Sequence, residues 1–332
     1  MMNEKRDGAP WRWLCLVLLV VAAGEAEAGA EAVEDAAGPW TAAPEPTLTD
    51  EEFPLPRHDP RPLMQALIER TQPTEATPFT FVVLSDYHSR EENAGIFAVA
   101  DELEPDFILT LGDMTDSASL EHWQQLEQAG GDLFRKYPTW SVMGNHELGG
   151  PQRALGGPRF SAYWAQPHDD IFSFTYANTT FIGLPWSGAD EAAAKKLERK
   201  LADAQGTRIF LFCHYLPWSR GIHPRQEHGH LIEKYNVFAV LDAHTHTYLR
   251  RERNGTHHIK VGINGPLGLR RREPDSDERF LVVFTVEGPH VSMRLLNAEG
   301  EEWDRATLAG PEQDEAADAE AAPAPGEAAA AP

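Results

Sequence analysis

Three apolar runs in this chain each end in a short turn that carries polar side chains. Residues 79–85, 106–111 and 138–143 lead into Asp86-Tyr-His88, Gly112-Asp113 and Gly144-Asn-His-Glu147. Continuous apolar runs are typical of strands that are covered on both faces, and segments with helical spacing separate the three. Strands that alternate with helices indicate an α/β sheet. Because sites in open α/β sheets lie at the carboxyl ends of strands, the pattern predicts one site built from several turns.

Two later apolar runs extend this pattern. Residues 208–213 end at His214, and residues 237–241 lead into Asp242-Ala-His244-Thr-His246. The strand ends together offer eight candidate side chains, namely Asp86, His88, Asp113, Asn145, His146, His214, His244 and His246. Nitrogen and oxygen ligands suit transition metals such as Mn, Fe, Co or Zn, whereas a structural zinc site of the cysteine type uses thiolates. The set is too large for one ion, so we expect two.

The rest of the folded chain is predicted to alternate between helices and strands. Helical spacing covers 61–70, 94–103, 119–128, 191–204 and 229–235, and Gly130-Gly131 follows the third of these segments. Residues 171–176 and 180–184 form a predicted hairpin around Asn178, and a strand-rich run with turns continues to about Leu308. Between them, residues 148–170 are a Gly- and Pro-rich excursion. Four aromatic side chains near the site either line a substrate pocket or pack in the core or at its rim; they are Tyr163, Trp164, Trp186 and Trp218.

The N-terminus is predicted to be a secretory signal peptide, residues 1–28. Lys5, Arg6 and Arg12 form a positive region, and the apolar run of eleven residues at 13–23 is too short for a comfortable membrane span. We therefore expect a secreted or periplasmic protein with no stable membrane span after cleavage. An uncleaved N-terminal anchor is the alternative.

Charge and composition divide the chain further. The formal net charge is −23, and much of it lies in residues 29–59 and 310–332, which are rich in Ala, Pro and acidic residues. Neither segment can bury a core, so both are predicted to be disordered, which leaves 60–309 as the folded domain. That domain is only mildly acidic and has no basic stripe, so a nucleic-acid polymer is not an expected partner. Nothing in the sequence indicates an oligomeric state.

The order of these motifs resembles the calcineurin-like metallophosphoesterase superfamily. The matching residues are Asp86-Tyr-His88, Gly112-Asp-Met-Thr-Asp116, Gly144-Asn-His-Glu147, His214 and Ala243-His-Thr-His246. The resemblance covers roughly residues 79–297, and the segment 234–250 is similar to the purple-acid-phosphatase-related branch. It implies an α/β fold, a four-layer α/β/β/α sandwich with two central mixed sheets.

The resemblance also implies a role for each side chain of the site. One metal ion would be held by Asp86, His88 and His246, the other by Asn145, His214 and His244, and both would share Asp113. His146 would be the catalytic histidine, oriented through a hydrogen bond by Asp116, and Glu147 a support. The cofactors implied are two divalent or trivalent transition-metal ions, with Fe, Mn or Zn expected.

Two positions depart from the family pattern. Ala243 stands where the family usually has Gly before the second His-x-His motif, and its methyl group could shift the loop without removing a ligand. Asp116 stands where purple acid phosphatases place a tyrosine ligand, so a tyrosinate–iron colour is not expected.

The motif set implies a metal-dependent phosphoric ester hydrolase whose partner is a small-molecule phosphate ester. Two ions about 3.5–4 Å apart stabilise the attacking and the leaving oxygens, and metal-bound hydroxide forms near neutral pH because the ions lower the pKa of water. His146 would protonate the departing alkoxide, a role worth roughly 10²–10⁴-fold in rate. The alternatives are a phosphodiesterase of nucleotides or phospholipid headgroups, and a catalytically weak module that binds a phosphoryl ligand.

The loops at 148–170 and 215–230 are expected to set the substrate. After His214 the chain carries Arg220, His223, Arg225, His228 and His230. The arginines either clamp a phosphate in bidentate fashion or belong, with the histidines, to a solvated loop.

Overall fold

Two β-sheets of mixed direction form the centre of the fold. The computed structural model describes residues 40–44, 47–91, 94–186, 191–215, 229–262, 264–266 and 279–309. The predicted signal peptide, the first part of the predicted linker, the predicted tail and the loop residues 216–228 lie outside the described residues.

The first sheet has six strands in the order β13-β12-β11-β1-β2-β3, and the second has seven in the order β10-β8-β9-β7-β6-β5-β4. In sequence order the strands are β1 (Phe79–Leu84), β2 (Phe107–Thr110), β3 (Thr139–Ser141), β4 (Phe172–Tyr176), β5 (Thr179–Gly183), β6 (Arg208–Phe212), β7 (Ala239–Asp242), β8 (Thr247–Arg253), β9 (Thr256–Lys260), β10 (Asn264–Pro266), β11 (Phe280–Glu287), β12 (His290–Asn297) and β13 (Glu302–Ala309). Strands β1 to β3 are parallel, as are β5, β6, β7 and β9, whereas β11 to β13 are antiparallel.

Helices pack against the two sheets, the first of them beside the cluster between the sheets and the others on the outer faces. They are α1 (Pro60–Thr71), α2 (Gly95–Glu102), α3 (Leu120–Lys136), α4 (Gly156–Trp164), α5 (Glu191–Asp203) and α6 (Gly229–Lys234). Side chains of α2, α3 and α4 share a buried cluster with the first sheet, and those of α5 and α6 share another with the second sheet. A third cluster lies between the two sheets. These layers confirm the predicted α/β/β/α sandwich.

The apolar runs of the sequence are continuous because the sheets are covered on both faces. In β1, Phe81 and Val83 belong to the cluster between the sheets, while Val82 and Leu84 belong to the cluster under the helices. The ring of Phe81 stacks on Phe284 at 4.7 Å, centroid to centroid, and many such contacts fill the central layer. Successive side chains of a strand point to opposite faces, so a strand without polar residues can only lie inside.

Helix α3 is longer than its sequence pattern predicts. The prediction stopped at residue 128, before Gly130-Gly131, but the helix continues to Lys136. A Cβ on Gly130 would lie 2.8 Å from the ring of Phe134, so a glycine here lets that ring fold back against the helix. Gly lowers helix propensity by about 1 kcal/mol, and the burial of Leu133 and Phe134 outweighs this cost.

The segment before α1 differs from the predicted disordered linker, 29–59. Phe53 is 5% exposed and packs edge-on against Trp123 at 6.0 Å. His58 is equally buried and lies 2.7 Å from the carboxylate of Glu127. Composition predicted a solvated chain because acidic and Pro residues dominate it, but a single buried aromatic residue and one ion pair are enough to attach it to α3.

The excursion at 148–170 also forms part of the core. It contains α4, whose Tyr163 and Trp164 are fully buried. These two aromatic residues therefore pack in the core, and the alternative that they line a substrate pocket is wrong. None of the helices in the described part of the chain combines the length and the apolar composition that a membrane span requires.

Candidate metal centre

The candidate residues lie in turns at the carboxyl ends of β1, β2, β3, β6 and β7. The first two turns run side by side, because the amide of Asp86 donates to Gly112 O at 3.1 Å and that of His88 donates to Asp113 O at 3.0 Å. Asp86, His88 and Asp113 have positive φ angles of 53°, 57° and 53°. This left-handed conformation is uncommon for residues other than Gly. It turns each side chain away from its strand within one or two residues.

Two glycines allow the turns after β2 and β3 to touch. Gly112 has a φ of 85°, and a Cβ on it would lie 2.5 Å from the amide nitrogen of Gly144. A Cβ on Gly144 would in turn overlap the carboxylate of Asp113. These two positions require glycine because the backbone of one turn lies against the backbone of the other. At Gly144 the backbone also lies against the side chain of a candidate ligand.

Glu147 holds these two turns together from inside the protein. Its carboxylate is 1% exposed and accepts hydrogen bonds from the backbone amides of Asp113, Thr115 and Gly144 at 3.0, 3.1 and 2.8 Å. Burial, followed by the nearby charge of Asp113, raises the pKa of Glu147. With its oxygens used by backbone donors, Glu147 supports the turns, as its sequence position suggested.

The first group of converging side chains consists of Asp86, His88 and His246. One ligand atom from each lies within 4.8 Å of the others. The Nε2 atoms of His88 and His246 are 3.1 Å apart, and His246 Nε2 is 3.6 Å from Asp86 Oδ1. Asp86 Oδ1 and His88 Nδ1 are buried without a hydrogen-bond partner among the described residues. A buried polar atom without a partner is costly, so this donor set fits a bound cation.

The second group consists of Asp113, His214 and His244, with Asn145 beside them. His214 Nε2 lies 3.0 Å from Asp113 Oδ2, 3.1 Å from Asn145 Oδ1 and 3.3 Å from His244 Nδ1. One ligand atom each from Asp113, His214 and His244 lies within 4.8 Å of the others, as in the first group. The other oxygen of Asp113 accepts the backbone N–H of His146 at 2.7 Å.

A carbonyl group from the opposite sheet fixes the ring of His214. Its Nδ1 lies 2.7 Å from the carbonyl oxygen of Leu111 and donates to it. With the proton on Nδ1, Nε2 of the neutral ring keeps its lone pair, which is the form that binds metals. A carbonyl or carboxylate behind a histidine is the usual arrangement at metal sites.

The pKa values of the two groups reflect burial first and the neighbouring charges second. Burial raises the pKa of Asp86 to about 7, to which the nearby carboxylate of Asp113 contributes. Burial lowers the pKa of His88 to about 3. For His214, burial acts in the same sense, but the hydrogen bond and the charge of Asp113 outweigh it and raise the pKa to about 9. A proton on His214 therefore balances the carboxylates in the metal-free chain.

His146 and Asp116 lie at the edge of the first group. His146 Nδ1 is 3.0 Å from the backbone carbonyl oxygen of Asp116 and 3.3 Å from its carboxylate Oδ1, which is also 3.6 Å from His88 Nδ1. The side chain of His146 is 36% exposed, so its ring is open to a ligand. Asp116 thus lies between two imidazoles, and His88, Asp116 and His146 form a third arrangement that could hold a metal ion.

The sequence reasoning missed a buried ion pair beneath the last turn. Lys260 Nζ lies 2.7 Å from Asp242 Oδ2 and donates to the carbonyl oxygen of Ala243 at 3.0 Å. Burial raises the pKa of Asp242, and Lys260 opposes this rise. The available signal was a Lys that interrupts the apolar pattern of β9 at the level of β7. Ala243 itself is fully buried.

The structure thus brings together the eight candidate side chains and Asp116. It does not describe every residue of the flanking loops. Trp186 is described and contacts the second group. Trp218, Arg220, His223 and Arg225 lie outside the described residues.

Comparison with known proteins places the chain in a family. A sequence profile of the calcineurin-like phosphoesterases matches residues 79–248, which include every candidate side chain. The chain belongs to the calcineurin-like phosphoesterase family. No curated protein sequence matches it.

Solved structures show the same fold. A purple acid phosphatase from yellow lupin (Lupinus luteus) seeds is 16% identical with a TM-score of 0.57; the match covers 74% of this chain and 58% of the lupin protein. GAP50, the anchor in the inner membrane complex of Plasmodium, is 15% identical with a TM-score of 0.53, over 71% of this chain and 90% of that protein. At these identities the likeness shows the fold alone.

Proposed function

We propose that this calcineurin-like phosphoesterase is a secreted enzyme that hydrolyses a small-molecule phosphate ester at a centre of two transition-metal ions. The observation that carries the proposal is the pair of ligand groups, one built on Asp86, His88 and His246 and the other on Asp113, His214 and His244. Their donor atoms are N and O only, which favours Fe, Mn or Zn. Asp113 has one oxygen toward the second group and accepts the His146 N–H with the other. Because a carboxylate has two oxygens, Asp113 is the residue proposed to link the two groups.

When bound, two such ions would stabilise charge on the phosphoryl oxygens and lower the pKa of water. The chain's own residues supply the remaining functions. Asn145 contributes a neutral oxygen, so it adds a ligand without adding negative charge. Leu111 keeps the Nδ1 proton of His214 in place, which leaves Nε2 for coordination.

His146 is the proposed general acid. Its ring lies beside the ligand groups but is held through Nδ1 by the carbonyl and the carboxylate of Asp116. With Nδ1 occupied, Nε2 is the atom that can hand a proton to the leaving oxygen. These contacts with Asp116 would position the ring of His146 with Nε2 free to face the leaving oxygen.

Secretion is part of the proposal and rests on the sequence of residues 1–28 alone. Detection of the mature N-terminus by mass spectrometry in the culture medium or periplasm tests it. Retention of the full chain at the membrane would favour the uncleaved anchor instead.

Metal analysis combined with a panel of phosphate esters tests the enzymatic proposal. We expect about two transition-metal ions per chain after loading with Fe, Mn or Zn, and turnover of model phosphomonoesters, diesters or both. Comparison of the two substrate classes distinguishes a phosphatase from a phosphodiesterase. Bound metals with phosphate binding but no turnover would indicate a phosphoryl-binding module, and a chain that binds no metal would contradict the proposal.

A further inference from the structure

Two partly buried aromatic side chains, Trp186 and Tyr215, stand beside the second ligand group; we call them the aromatic wall. The ring of Trp186 lies 5.4 Å from the ring of His214 and 5.4 Å from that of His244, centroid to centroid. The ring of Tyr215 lies 5.1 Å from His244 and 5.9 Å from Trp186. Both residues follow strands, β5 and β6, whose carboxyl ends open at the site.

Among the described residues, the aromatic wall lies outside the three core clusters. Three other tryptophans, Trp123, Trp140 and Trp164, are fully buried. Trp186 and Tyr215 are only partly buried and belong to none of the three core clusters of the described residues. The ring of His214 is already fixed by Leu111 and Asp113, so it needs no support from an indole.

The aromatic wall and the proposed general acid lie at different ends of the site. His146 contacts His88 at 4.3 Å between ring centroids and interacts with Asp116. Trp186 instead contacts the rings of His214 and His244, and Tyr215 contacts that of His244. A phosphoryl group held at the ligand groups would therefore have a proton donor on one side and an apolar aromatic surface on the other.

Aromatic faces and edges attract other rings at centroid distances of about 4.5–7 Å and exclude water from the contact. We propose that the aromatic wall binds a planar ring of the substrate, so that the site prefers phosphate esters with an aryl or similar ring group to those with small alkyl groups. This inference rests on the proposed phosphate-ester function and names the substrate class for it.

Phosphonates test the aromatic wall without the different reactivity of aryl and alkyl leaving groups. The binding of phenylphosphonate, ethylphosphonate and inorganic phosphate to the metal-loaded full chain is measured by titration calorimetry. We expect phenylphosphonate to bind about tenfold more tightly than ethylphosphonate, the amount that one favourable aromatic contact supplies. Trp186→Ala should remove most of this preference and leave the affinity for ethylphosphonate and phosphate within about twofold.

Two further variants separate recognition from structure. Trp186→Phe should keep part of the preference because it retains an aromatic face. Trp303→Ala removes a partly buried tryptophan of β13, on the other sheet, and should keep the full preference. Equal affinities of the parent for the two phosphonates, or an equal loss for all three anions in Trp186→Ala, would overturn the proposal. If none of the three anions binds the parent, the phosphate-ester function itself fails, and the wall with it.

Discussion

The buried ion pair of Lys260 and Asp242 offers a direct test of how the turn with His244 and His246 is held. Both partners are less than 10% exposed, at 7% and 6%. Lys260 donates to two acceptors, the carboxylate of Asp242 at 2.7 Å and the carbonyl oxygen of Ala243 at 3.0 Å. Lys260→Met keeps most of the volume of the side chain but removes the charge and both donations.

The size of the effect follows from the burial of the pair. Removal of one partner of a buried ion pair costs about 3–5 kcal/mol because the other charge remains uncompensated. Burial already raises the pKa of Asp242, so in the variant its carboxyl group takes up a proton and the penalty is limited. The carbonyl of Ala243 also loses its donor. We therefore expect a loss near the lower end, about 3 kcal/mol, which is a large share of the roughly 5–15 kcal/mol that stabilises a typical domain.

Urea unfolding of the metal-free full chain measures this loss without a contribution from bound ions. Lys234→Met is the matched control, because Lys234 pairs with Glu198 on the surface and exposed pairs contribute little. The double variant Lys260→Met/Asp242→Leu removes both charges and should recover part of the loss, since well-packed apolar replacements of buried pairs are often tolerated. Metal titration of Lys260→Met should show weaker binding, because this turn supplies His246 to the first ligand group and His244 to the second.

A free energy of unfolding for Lys260→Met within about 0.5 kcal/mol of the parent, the range of an ordinary surface substitution, would refute the reasoning. A loss of the same size in Lys234→Met would refute it as well, because charge removal in general would then be the cause.

Three other predictions concern the site and the helix behind it. Asn145→Ala should lower the metal content measured by plasma mass spectrometry. His146→Ala should keep both ions and lose about 10²–10⁴-fold in kcat. Equal metal loss in the two variants would contradict the division of roles. Gly144→Ala should abolish turnover and metal binding, because its methyl group overlaps the carboxylate of Asp113; normal metal content would contradict this. For Glu127, burial acts to raise the pKa, but hydrogen bonds, first from His58, outweigh it and lower the pKa to about 2. Its contribution to stability is therefore present above about pH 4.5 and is lost as the pH falls toward 2, so the Tm of Glu127→Gln should fall less than that of the parent between pH 6 and pH 3.

The strand ends could be predicted from the sequence because local signals and the topology agree there. An apolar run, a Gly and a polar residue are all visible within ten residues, as at Gly144, and parallel strands bring their carboxyl ends to one edge of a sheet. These signals are local and do not depend on distant contacts. They therefore predict which side chains converge, although not which atoms of His88 or Asp116 face each other.

The features that escaped prediction depend on contacts between distant parts of the chain. Phe53 lies in a segment whose composition is that of a disordered chain, and only the pocket formed with Trp123 and Tyr163 makes its burial favourable. Gly130 ends a helix in most sequence patterns, but a buried face carries α3 past it. Lys260 looks like a surface residue of a β-strand until Asp242, eighteen residues earlier, is known to lie beside it.

The left-handed backbone at the site explains why its neighbours are so strongly tied together. Five candidate ligands have a positive φ, of 53° at Asp86, 57° at His88, 53° at Asp113, 71° at His244 and 54° at His246. Such a conformation is disfavoured for these residue types and persists only where the surroundings impose it. Glycine would adopt it without strain but cannot bind a metal, so one residue has to make the turn and supply the ligand. The hydrogen bonds between the first two turns, the three bonds to Glu147 and the donation from Lys260 to Ala243 are what impose it. In the proposed function, ions that bind only the folded chain would stabilise it through the binding equilibrium and so offset this strain.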